Sequence, residues 1–159
     1  MRFKYMCHRT TPCTRGVARG LLALALLGAV NAAAQAPADR IVASRCVEAD
    51  ASGACTLYGV SLLELIANPE RFHGRRVSVR GYVRIEFEGS AIYLSKESFE
   101  AGSMRDALWL TPAANSPFAK PGATFGPRYA DVVGRFDAFD RGHFGMYSGA
   151  ITEVTRIGR

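Results

Sequence analysis

The sequence predicts an all-β fold: a small five-stranded barrel, closed or nearly closed, preceded by one short helix. Apolar and polar residues alternate from Arg75 to Phe87, which is the period of a half-buried strand, and four shorter strand patterns follow, separated by turn residues. Gly81 and Gly149 interrupt two of these strands, where a missing Cβ permits the bulges that barrel strands need. Closure into a barrel would also remove the exposed edges of a five-stranded sheet.

The first 34 of the 159 residues are predicted to be a cleavable secretion signal peptide. Basic residues without an acidic one precede the apolar run Leu21–Val30, whose 10 residues are too few to span a bilayer, since a spanning helix needs about 20. Small residues follow, and cleavage after Ala34 would leave Gln35 first. The alternatives are a buried helix or a retained membrane anchor. The basic residues of this leader are Arg2, Lys4, Arg9, Arg15 and Arg19.

Removal of the leader changes the charge of the protein. The chain has 20 basic and 14 acidic residues, and taking away the five basic residues of the leader leaves a formal charge of +1. A protein that binds nucleic acid usually carries a concentrated positive charge, because neutralising phosphates dominates its affinity. The sequence therefore predicts a periplasmic or secreted protein that has no transmembrane segment after processing and does not bind nucleic acid.

Residues 35–58 are predicted to be a flexible lead-in that contains Cys46 and Cys55. Two cysteines in a chain destined for an oxidising compartment favour a disulfide, which would close a short loop here. A redox or zinc role is the alternative, but the pair lacks C-x-x-C spacing and a histidine nearby.

The barrel domain is predicted over residues 59–159, with its elements in a clear order. Ser61 and Glu64 form the pattern of a helix capping box, the leucines and the isoleucine that follow make one apolar face, and Asn68 with Pro69 ends the helix. Residues 111–128 contain four prolines and are predicted to be a long loop. The five strands are predicted at residues 75–87, 91–95, 107–110, 129–138 and 146–157.

The chain from Val60 to Ile157 resembles a family of uncharacterised exported bacterial proteins with an OB-fold-like domain, and more loosely the periplasmic bacterial OB-fold proteins. The resemblance implies an OB-fold-like barrel but no reaction, because that family has no settled activity. The segment with Cys46 and Cys55 departs from it. The residues that carry the resemblance are 61–62, 68–70, 77–81, 86–89, 93–94, 96–97, 142–143, 145 and 148–149.

The polar face of the first predicted strand is the first candidate for binding. OB-type barrels bind extended ligands across their second and third strands with aromatic and charged side chains. Arginine and aromatic groups can stack on sugars or hold acidic polymers. The alternative is a solvated strand face with Trp109 in the core. The residues of this face are Arg76, Arg80, Tyr82 and Arg84, joined by Tyr93 and Trp109 on neighbouring strands.

The turn residues Glu86, Glu88 and His143 are the second candidate. Two carboxylates and a histidine could bind a cation and support a metal-assisted hydrolase, if the fold brings them together. The alternatives are a solvated hairpin tip and an ordinary turn histidine. The sequence contains no G-x-S-x-G, H-E-x-x-H or G-x-x-x-x-G-K motif, and no metal or cofactor is predicted.

These observations favour a non-enzymatic exported binding module that meets an envelope protein or a glycan on a barrel face. A metal-assisted hydrolase that uses Glu86, Glu88 and His143 is the alternative. The predicted ligand-binding residues are Arg80, Tyr82, Arg84, Tyr93, Glu88 and His143.

Overall fold

The computed structural model describes residues 45–158, so the predicted signal peptide and residues 35–44 of the lead-in lie outside the described part of the chain. Among residues 45–158, no helix has the length and apolar character needed to cross a membrane. Most of the regular structure is in strands, which are β1 Cys46–Ala49, β2 Cys55–Ser61, β3 Arg76–Ile85, β4 Ala91–Tyr93, β5 Ala107–Pro112, β6 Phe125–Asp137 and β7 Ala150–Gly158.

Five of the strands close into the predicted barrel. Going around it, the order is β3, β4, β5, β7, β6 and back to β3. The β5–β7 pair is parallel and the other four pairs are antiparallel. The prediction of an all-β five-stranded barrel is therefore confirmed, although β6 begins earlier and β7 begins later than the sequence pattern indicated.

The strands β1 and β2 form a hairpin outside the barrel, and β2 pairs in parallel with the first half of β3. Cys46 and Cys55 form the predicted disulfide, with their Cα atoms 5.7 Å apart. The prediction of a flexible lead-in is wrong for residues 46–49 and 55–58, which lie in these two strands. The reason is that β4 has only three residues and leaves that edge of β3 for β2 to occupy.

Gly81 lies where β3 changes neighbours on this edge. The pairing with β2 ends at Arg80 and the pairing with β4 begins at Tyr82. A Cβ at Gly81 would stand 2.6 Å from the Ile92 side chain and 2.7 Å from the Tyr93 carbonyl oxygen. Glycine is thus required for the close approach of β4. The bulge expected at Gly81 is not there: the pairing with β6 is regular through Gly81 and shifts between Val83 and Ile85.

The predicted helix is present as α1 Leu62–Ala67, and the capping box is formed. Ser61 Oγ accepts from the Glu64 N–H at 3.2 Å, and Glu64 Oε2 accepts from the Ser61 N–H at 2.9 Å. Two further short helices, α2 Pro69–Phe72 and α3 Lys96–Glu100, were not predicted.

The barrel core contains the inward residues of β3, namely Val77, Val79, Val83 and Ile85, together with the buried faces of α1 and α2. The apolar and polar alternation of β3 ends at Ile85, two residues before the predicted end at Phe87. Phe87 was assigned to this inward face, but it is 89% exposed. The strand ends at Ile85 because the chain then turns through Glu88, which has a positive φ of 56°.

Candidate functional site

A second, smaller apolar cluster lies on the outer face of β3, β4 and β5. Tyr82 and Tyr93 are direct cross-strand partners, and they are only 9% and 7% exposed. The Phe99 ring of α3 lies 5.4 Å from the Tyr82 ring and 5.2 Å from the Tyr93 ring. Tyr147, from the loop between β6 and β7, completes this outer cluster with Ala91 and Ala107.

The predicted aromatic platform is therefore covered. The sequence placed Tyr82 and Tyr93 on the outward face, and they do share that face, but α3 and the β6–β7 loop pack over it. Trp109 is neither in the barrel core nor fully exposed. It packs on the edge of the outer cluster, with its ring 5.3 Å from Tyr147.

A depression of about 480 Å³ opens beside the outer cluster. Three separate segments line it: the β3–β4 turn, α3 with the residues that follow it, and the β6–β7 loop. This arrangement brings together four of the six predicted ligand-binding residues and Glu86. The residues in question are Arg84, Glu86, Glu88, Tyr93 and His143.

Three charged residues of the depression form ion pairs, one of them with a residue outside it. Arg84 forms an ion pair with Glu86, and its guanidinium carbon lies 5.5 Å from the centre of the Phe99 ring. Glu100 pairs with Lys96 at 3.4 Å. Within residues 45–158, Glu88 forms no ion pair. The Glu88 carboxylate is therefore free of any ion pair with the lysines and arginines of the described residues.

Tyr147 lies at the buried side of the depression, with 3% of its surface exposed. Burial raises the pKa of its hydroxyl well above the ordinary value, and the neighbouring Tyr93 hydroxyl raises this pKa further. The hydroxyl therefore stays protonated at neutral pH.

His143 enters the depression from a one-turn 3-10 helix, His143–Gly145. Its ring stacks on the Trp109 indole, with a centroid distance of 6.2 Å and an interplanar angle of 20°. The centre of the Phe144 ring lies 4.0 Å from that of His143, and Phe144 is 84% exposed. His143 thus contacts two aromatic rings, and the neighbouring Phe144 is presented to solvent.

Glu86, Glu88 and His143 all line the depression, as the hydrolase alternative requires. However, among residues 45–158 no group of three histidine, cysteine, aspartate or glutamate side chains is arranged to hold a metal ion. Arg84 also occupies the Glu86 carboxylate. The geometry brings the three residues to one place without forming a coordination site there.

Arg80 is separate from the depression. Its guanidinium pairs with Asp131 of β6 at 3.2 Å, whereas Arg84, four residues on, faces Glu86. The predicted row of arginines on β3 thus divides, with Arg76 and Arg80 beside β6 and Arg84 at the depression.

The sequence did not predict four apolar residues of the depression: Phe99, Met104, Met146 and Tyr147. Phe99 stood in a polar stretch, and Met146 with Tyr147 was assigned to the last strand. A signal for α3 exists in Ser95, whose hydroxyl accepts from the Ser98 N–H at 3.2 Å as an N-cap. The sequence carried no signal for which face α3 would cover.

Comparison of the chain with family models, with curated proteins and with solved structures gives no match.

Proposed function

We propose that this protein is an exported, non-enzymatic binding module that holds a segment of an envelope protein or a glycan in the depression between the β3–β4 turn, α3 and the β6–β7 loop. The observation that carries the proposal is the meeting of the β3–β4 turn, α3 and the β6–β7 loop around one depression beside a buried aromatic cluster. The leader pattern and the Cys46–Cys55 disulfide support export, because structural disulfides persist in oxidising compartments.

The barrel topology supports an OB-fold-like assignment. Numbered from β3, the barrel strands follow the order 1-2-3-5-4-1, which is the order of OB-folds. In that fold, ligands bind on strands 2 and 3 and at the loops 1–2 and 4–5. Here these are β4, β5, the turn with Glu88 and the loop with His143, and of these the turn, the loop and Tyr93 of β4 line the depression.

The chemistry of the depression suits a partner that has an apolar group beside a hydrogen-bond donor. Met104 and Met146 provide flexible, polarizable contacts that adapt to different shapes. Glu88 offers an unpaired carboxylate, and the exposed Phe144 ring offers a stacking surface for a sugar or an apolar side chain. Glutamates at the rim would repel a phosphate backbone, so nucleic acid remains excluded from the proposal.

Site-specific photo-crosslinking tests the proposal. Replacing Phe144 by p-benzoylphenylalanine in the exporting cell should give a discrete crosslinked product. The same replacement at Phe139 should give none, because Phe139 is also exposed but packs on His73. The Glu88→Lys and His143→Ala double variant should abolish the product while the midpoint of thermal unfolding stays within a few degrees.

A product that persists in the folded double variant would contradict the assignment to the depression. The two side chains suit this test because both line the depression and neither belongs to the buried residues. Tyr82 is unsuitable, since its removal would open the outer cluster.

Metal analysis of the purified protein tests the metal-assisted hydrolase. Stoichiometric metal that is lost in Glu86→Gln and His143→Ala would favour the hydrolase over the binding module. Glu86, Glu88 and His143 line one depression, but no group of three such side chains among residues 45–158 is arranged to hold a metal ion.

A further inference from the structure

Arg76 and Arg80, the arginines of β3 that lie beside β6, do not line the depression. Arg76 also faces a like charge on β6. Arg76 of β3 and Arg135 of β6 are direct cross-strand partners. Directly opposite residues on antiparallel strands have their Cβ atoms about 5 Å apart, and like charges at that position are destabilising. Two arginines in register therefore need a compensating negative charge.

The described residues only partly supply the negative charge that the two arginines need. Arg135 pairs with Glu153 through Nε at 3.2 Å and donates from Nη1 to the Gly74 carbonyl oxygen at 2.8 Å. Within residues 45–158, Arg76 forms no ion pair. Its guanidinium makes only a long contact of 3.5 Å with Thr155 Oγ1. One carboxylate thus serves two guanidinium groups.

The two arginines border a concavity of about 280 Å³. Gly134 of β6 and Glu153 and Thr155 of β7 also line it. The β6–β7 register is irregular here, between Val133 and Arg135, and Glu153 takes a positive φ of 49°. The concavity thus lies where the β6–β7 pairing is irregular.

We infer that the concavity between Arg76 and Arg135 is a binding site for a phosphate group, separate from the depression, with which it shares no residue. Guanidinium groups donate charge-assisted hydrogen bonds to phosphate, and here they approach from two strands. Two guanidinium groups on different strands suit a tetrahedral oxyanion better than a planar carboxylate, which a single guanidinium pairs in its own plane. A phosphate would supply the missing charge between the arginines.

Calorimetric titration with inorganic phosphate, at constant ionic strength held with chloride, tests the site on the purified protein. Wild-type protein should bind phosphate saturably, and Arg76→Gln and Arg135→Gln should each weaken binding about tenfold. Arg105→Gln is the matched control, because Arg105 is also an exposed arginine but lies outside the concavity. Glu153→Gln should strengthen binding, since it removes the competing carboxylate.

A parallel titration with glucose 6-phosphate distinguishes a free phosphate from one carried on a sugar. Tighter binding than inorganic phosphate would assign the remaining space to the sugar, and equal binding would assign the site to phosphate alone. The inference would be overturned if neither inorganic phosphate nor glucose 6-phosphate bound saturably. It would also be overturned if Arg105→Gln weakened phosphate binding as much as Arg76→Gln and Arg135→Gln do.

Thermal unfolding in phosphate-free buffer shows whether the variants fold. Arg76→Gln should unfold at the wild-type temperature or above it, because it removes the repulsion from Arg135, and it should lose the rise in that temperature that phosphate produces in the wild type. A full phosphate-dependent rise in Arg76→Gln would also overturn the inference.

Discussion

The backbone of Gly142 packs closely against the side chain of Trp109. A Cβ added at Gly142 would stand 2.5 Å from both Cβ and Cγ of Trp109. The backbone of Gly142 has φ 59° and ψ −153°, a combination that is essentially restricted to glycine. This contact fixes the start of the His143 turn over the tryptophan and so places one wall of the depression.

Gly142→Ala should lower the free energy of unfolding by about 2–4 kcal/mol, because backbone strain and overpacking against Trp109 add. Gly145→Ala is the matched control: its φ is also positive, at 70°, but a Cβ there would meet nothing within 4 Å. We expect the control to lose only about 1 kcal/mol. Urea unfolding followed by the fluorescence of Trp109, the single tryptophan, measures both. Equal losses would show that the indole contact is unimportant.

Glu64→Gln should destabilise the protein by about 0.5–1 kcal/mol at pH 7, since it weakens the capping box of α1. The Ser61 backbone N–H, followed by the Ser61 hydroxyl and Arg45, holds the pKa of Glu64 below its usual value of 4.5. The stabilisation is therefore complete above pH 4.5 and disappears as the pH falls through the lowered folded-state pKa.

Denaturant unfolding across this pH range checks the effect of Glu64. The difference between wild type and Glu64→Gln should shrink to zero in acid, whereas Glu70→Gln, at an exposed glutamate in the next helix, should show no such trend. A constant difference at every pH would argue against the carboxylate as the capping group.

Replacing both Cys46 and Cys55 by serine should cost about 2.5 kcal/mol, the loop-closure value for a loop of this length. The barrel should remain folded, because β1 and β2 lie outside the closed ring of strands. Unfolding with and without a reducing agent provides the measurement. Reduction should destabilise the wild type by a similar amount and leave the stability of the double variant unchanged. If the reducing agent also destabilised the double variant, its effect would not come from the Cys46–Cys55 bond.

Tyr147 should make the protein sensitive to alkaline pH. Burial first, and then the Tyr93 hydroxyl, raise the pKa of Tyr147 above its ordinary value of 10.0. Above pH 10 the unfolded chain ionises this tyrosine while the folded chain keeps it neutral, so stability must fall as the pH rises. Tyr147→Phe should flatten that decline.

Tyr129→Phe is the control for the alkaline experiment, because Tyr129 is half-exposed on β6. The decline above pH 10 should persist in this variant. If both variants behaved alike in unfolding monitored from pH 8 to 11, the proposed environment of Tyr147 would be wrong.

The strand pattern and the helix cap were predictable because they depend on near neighbours along the chain. The alternation from Val77 to Ile85 places valines inside the barrel, and Ser61 with Glu64 starts α1. The same alternation predicted correctly that Tyr82 faces outward. It could not show that Tyr82 is buried, because Phe99 and Tyr147 cover it from distant parts of the chain.

The hairpin before the barrel was missed for a related reason. Its first strand has four residues, all exposed, so it has no buried face and no periodic signal. The hairpin joins the sheet because β2 pairs with an edge of β3, and that edge is free because β4 is short.

The amino-acid sequence alone determined the all-β class, the number and order of the barrel strands and the pairing of Cys46 with Cys55, since strand period, turn residues and cysteine number are properties of the sequence. Only the tertiary structure decided that α3 and the β6–β7 loop cover the outer face, and that Glu88 and His143 meet beside it. Glu88 and His143 are 55 positions apart in the chain, and the period of a strand specifies which way a side chain points but not what packs on it.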